Sequence, residues 1–81
     1  MAIATSLLRA GHPAQAAEVL EGLIAEAAQD PLVPQALFVA AQARGAEGDT
    51  AAAARHRRRL LREFGETEWA KRARQELPQE P

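Results

Sequence analysis

Residues 48 to 65 read GDTAAAARHRRRLLREFG: a glycine-aspartate turn, a run of strong helix formers, and a second glycine. Asp49 is a good N-cap, alanine, arginine and leucine favour the helix, and Gly65 ends it. The stretch has an earlier echo in Gly11 to Ala28, GHPAQAAEVLEGLIAEAA. A shift of 37 residues lays Gly11 on Gly48, Ala14 on Ala51, Ala16 on Ala53, Ala17 on Ala54, Leu23 on Leu60 and Ile24 on Leu61. A punctuated helix that recurs at this spacing predicts a helical repeat. That implies a class of function, protein interaction, without naming the partner.

Working outward, the same punctuation predicts five helices, over about residues 2–10, 13–28, 32–44, 50–64 and 68–77. Gly11 suits a left-handed C-cap, and Pro13 a first helical position, where its missing N–H costs nothing. Asp30-Pro31 repeats that start signal, Pro34 still falls in a first turn, and Thr67 is placed to cap the last helix. Pro78 stops it, and residues 79–81 read as a frayed tail. Residues 1–78 form one domain. The fold class is all-α, with antiparallel hairpins joined by short turns and stacked as a short right-handed solenoid.

Composition bounds the function. Of 81 residues 20 are alanine and only 18 are large and apolar, so the core is thin and help from a neighbouring surface is expected. The net charge of -1 argues against a general polyanion binder. It is unevenly spread: residues 1–40 hold one basic and four acidic groups, residues 41–81 nine basic and seven acidic. There is no cysteine, hence no disulfide or thiolate-metal chemistry, and the compartment is left open. No apolar run approaches the roughly 20 residues that span a bilayer, and the N-terminus is a poor signal peptide. Membrane insertion is not expected.

The spacing of a turn Gly-Asp at Gly48-Asp49, then Ala53, Arg57, Leu60 and Phe64, resembles the tetratricopeptide repeat, with Gly11, Ala16, Leu20, Leu23 and Ala27 matching in the first copy. Leu60 to Leu77, LLREFGETEWAKRARQEL, is similar to the long-repeat branch of bacterial envelope proteins, such as the periplasmic repeat protein of the Tol-Pal system and the lipoprotein of the outer-membrane β-barrel assembly machinery. Gly65 stands where that branch has proline, and Arg57 where it has an apolar residue. The third helix has Leu37, Ala40, Ala41 and Arg44 where the family prefers Trp, Leu, Gly and Tyr, so looser hairpin packing is expected there.

The resemblance implies a concave groove that receives a peptide, helix or subunit, lined by Thr5, Leu8, Arg9, Gln35, Phe38, Gln42, Arg72 and Gln75. Phe38 would be the anchor; the competing expectation is that it packs inside the stack against Trp69 or Leu8. A second candidate is the basic face of Arg55, Arg58, Arg59 and Arg62, where several guanidinium forks meet an acidic partner or, alternatively, nucleic acid. Without interleaved aromatics, a solvated face paired to Glu63, Glu66 and Glu68 competes with both.

The two histidines, His12 and His56, have no converging ligands, so no metal or cofactor is expected. Neither has a carboxylate at a recognisable nucleophile-base spacing, Ser6 is the only serine, and Glu18 and Glu21 are expected on an exposed face with ordinary pKa values. The chain does not read as an enzyme. An interaction adaptor is expected, with a homodimeric scaffold or attachment to an upstream domain as the alternative, because Ile3 and Leu7 have no preceding helix to cover them.

Overall fold

A computed structural model describes residues 2–76, with the side chain of Glu76 excepted. The expected helical end at Leu77 and the tail at 79–81 lie outside the described residues. Five helices follow in order: α1 (Ala2–Arg9), α2 (Pro13–Glu26), α3 (Val33–Ala46), α4 (Thr50–Glu63) and α5 (Glu68–Glu76). All regular structure among the described residues is helical, so the chain is an all-α protein.

The turns follow from local chemistry. Gly11 and Gly48 adopt φ of 86° and 88°, a region in which a Cβ clashes, and they are the only described residues to do so. After α1, Gly11 N–H donates to Leu8 O and His12 N–H to Leu7 O; after α3, Gly48 N–H donates to Gly45 O and Asp49 N–H to Arg44 O. Both are Schellman turns, and they satisfy the last carbonyls of their helices in the same way. They sit 37 residues apart, at the repeat seen in the sequence. Asp49 then accepts from the Ala52 N–H at 3.1 Å, whereas His12 makes no side-chain cap.

The largest departures from the expected helix limits are two residues, at the ends of α2 and α3. α2 stops at Glu26, and Asp30 does not cap α3 directly: its carboxylate accepts from the Leu32 N–H at 2.8 Å, closing a turn that carries the chain to Val33. α3 runs on through Gly45 to Ala46, because the turn signal is Gly48 alone. Gly65 is required for a separate reason. A Cβ there would lie 2.7 Å from the Leu61 carbonyl oxygen.

α3 is the centre of the molecule. It packs against α2, α4 and α5, and Val33, Ala36, Leu37, Phe38, Ala40, Ala41 and Ala43 are all buried along it. Its alanines are small enough to be fully enclosed between the neighbouring helices. Leu20, Leu37, Leu60 and Val33 are the largest fully buried side chains.

Candidate functional site

The expected groove loses its anchor. Phe38 is 8% exposed and sits in the main core cluster, its ring 5.6 Å from Trp69 and tilted by 48°. Edge-tilted aromatic pairs at this distance are favourable contacts, so the ring is engaged within the stack and offers no free face to a partner. Leu8 is also turned to internal use, packing with Leu7 on a small cluster of Ala16, Ala17 and Ala43. Thr5 and Gln35 are half-buried; Arg9, Gln42, Arg72 and Gln75 are exposed. The Arg72 guanidinium covers Trp69, 5.0 Å from the ring centre. What α1, α3 and α5 present to solvent at these positions is a row of polar groups.

Two apolar depressions lie elsewhere. The larger, of about 390 Å³, is open to solvent along α1 and lined by Ala2, Ile3, Ser6, Leu7 and Ala10. Ile3 is 70% exposed there, the most exposed large apolar side chain described. The second, of about 240 Å³, runs along α4 and is lined by Ala54, Arg57, Arg58 and Leu61. Arg57, read from the sequence as a misplaced charge at an apolar position, is half-buried as one wall of this furrow.

The basic face of α4 divides into paired and unpaired groups. Arg59 and Arg62 both reach Glu63, at 3.4 and 3.6 Å. Pairing to Glu66 and Glu68 is not found, and Arg55, Arg57 and Arg58 form no hydrogen bond or ion pair among the described residues. Arg55 and Arg58 are exposed.

A polar cluster invisible in the sequence ties three helices together. Arg44 on α3 donates from Nη2 to Glu21 Oε1 at 2.5 Å and from Nε to Glu21 Oε2 at 2.9 Å, and it also reaches Glu47. His56 Nε2 on α4 lies 2.7 Å from the same Glu21 Oε2. Glu21 on α2 is therefore half-buried and doubly engaged, which corrects the expectation of an exposed carboxylate with an ordinary pKa. The Arg44 fork, with help from His56, outweighs the cost of burial and holds the Glu21 carboxyl down to about 2, while the two carboxylates raise Arg44 further above its usual value. A carboxylate does orient a histidine after all, across 35 residues of sequence. Sequence spacing missed it because the two meet only when α2 and α4 are brought together over α3. No group of three metal-ligating side chains converges among the described residues.

No family model, curated protein or solved structure matches the chain. Among the described residues no helix is long and apolar enough to cross a membrane.

Proposed function

We propose that the chain is a protein-interaction scaffold built as a short right-handed stack of tetratricopeptide-like hairpins. The two Schellman turns 37 residues apart support the repeat, as does the packing of each helix on its chain neighbour together with α3 on α5. The observation that carries the function is the open apolar face of α1. An apolar outer face on a helix of such a stack calls for a further surface to cover it.

That face fits a second copy of the chain. Among the described residues its lining of Ala2, Ile3, Ser6, Leu7 and Ala10 holds no charged group, which favours the meeting of two copies there. Ile3 and Leu7, one helical turn apart, give each copy a short ridge to lay beside the other. Burying one Ile3 contributes roughly 1.5 to 3 kcal/mol, and two-fold symmetry supplies it twice. At the positions expected to line a peptide groove, α1, α3 and α5 expose Arg9, Gln42, Arg72 and Gln75, polar side chains suited to orient a bound segment more than to anchor it.

Sedimentation velocity over a concentration series tests this proposal. The wild-type chain is expected to shift from monomer to dimer as concentration rises, and Ile3→Asp to remain monomeric with unchanged helicity. A wild-type monomer at every concentration, or an Ile3→Asp chain that dimerises equally well, would overturn the two-fold reading.

A further inference from the structure

We propose that the α4 furrow of Ala54, Arg57, Arg58 and Leu61 docks one acidic amphipathic helix of a partner protein. The proposal rests on reading the chain as an interaction scaffold, and adds to it a second surface with a partner of different chemistry.

The lining residues fall at i, i+3, i+4 and i+7 along α4. At about 100° per residue they occupy one narrow stripe, with Ala54 and Leu61 forming the floor and Arg57 and Arg58 rising on opposite sides. A stripe of this period, small at one end and large at the other, is the surface into which the ridge of a second helix packs. An extended peptide would not match it, since its side chains repeat every two residues.

Charge decides the kind of helix. Arg57 and Arg58 form no ion pair among the described residues, and the one carboxylate engaged on α4, Glu63, is already shared by Arg59 and Arg62. A helix with a Leu or Ala row on the floor and Glu or Asp at the flanking positions satisfies both guanidinium groups while covering Leu61. Nucleic acid fits less well. Phosphates would meet the arginines and leave the apolar floor of Ala54 and Leu61 uncovered, and the whole chain carries a net charge of -1.

The test is fluorescence anisotropy with a labelled peptide of about fourteen residues, long enough to match α4, bearing Leu and Ala on one helical stripe and Glu on both sides of it. The expected result is binding at least about tenfold tighter than to the same peptide with Gln for Glu, to polyglutamate of equal length, or to a short DNA duplex. Arg58→Glu should weaken it at least about tenfold, and Arg58→Gln less. Arg55→Glu, off the stripe, should change it about twofold or less. Helicity by circular dichroism checks that each variant folds, and both Arg55 and Arg58 are exposed.

Equal binding of polyglutamate or DNA would overturn the proposal, as would equal effects of Arg55→Glu and Arg58→Glu, or no binding of the acidic helix. If the acidic helix fails to bind while the chain still self-associates through Ile3, only the furrow assignment falls. If neither surface binds anything, the scaffold reading falls with it.

Discussion

Hairpin α1–α2 and hairpin α3–α4 turn through the same geometry, with Gly11 at φ 86° and Gly48 at φ 88°, yet they present opposite surfaces. The first shows solvent an uncharged apolar face on α1; the second shows a furrow walled by arginines on α4. The interior differs as well, since α3 is enclosed by three helices and α1 packs chiefly on α2. The two hairpins thus share a glycine turn, while the caps that follow it and the side chains on the outward stripes differ.

The sharpest way to break that comparison is to remove one leucine from each hairpin. Leu37→Ala, in the enclosed α3, is expected to cost about 3 to 4 kcal/mol, and Leu20→Ala, equally buried on α2, about 2 to 3. Urea denaturation of both variants checks the order. Equal losses would mean that α3 is not the centre of stability.

Next in size is the cluster that ties the hairpins together. The folded-state pKa of Glu21 lies near 2, below its usual 4.5, so the unfolded chain binds the proton more readily. The resulting stability is fully present above about pH 4.5 and is lost as pH falls toward 2. Glu21 is 31% exposed, and with solvent screening the contribution is about 2 kcal/mol. Thermal unfolding of wild type and Glu21→Gln between pH 7 and pH 2 should show the two curves converging at the acid end. Parallel curves would remove Glu21 as the link between hairpins.

Gly11→Ala and Gly48→Ala sharpen the shared part of the comparison. Each forces a Cβ into the left-handed region at a cost of about 1 kcal/mol, and the two costs should agree. A large difference in melting temperature between these variants would separate the two turns that the repeat equates. The smallest effect concerns the caps. Asp49→Ala should lose about 0.5 to 1 kcal/mol, whereas His12→Asp should stabilise by a similar amount by supplying the missing side-chain acceptor.

These turns are also where the sequence was most legible. Gly11, Gly48, Asp49 and Thr67 act within a few residues of themselves, so their chemistry is written locally; Thr67 accepts from the Ala70 N–H and donates to Phe64 O as its cap position implies. The all-helical fold follows from such signals. Gly45 misled at the end of α3, because it stays in the helical conformation and the left-handed turn comes only at Gly48. The site was less legible. Phe38 carries an aromatic ring that suits a groove or a core equally well, and only the position of Trp69, 31 residues away, decides between them. The Glu21, Arg44 and His56 cluster joins three helices and leaves no mark in any one of them. Arg57 and Arg58 looked like parts of a charge run, and the furrow appears only once their positions are wrapped on α4 beside Leu61.

The central claim is that the uncharged face of α1 associates with its counterpart in a second copy. Backbone amide spectra of the isotopically labelled chain, recorded at increasing concentration, test it most directly. Shifts concentrated on residues 2–10, and absent from Ile3→Asp, are expected. Spectra unchanged by concentration, or shifts spread over α3 and α5 with residues 2–10 unmoved, would contradict it.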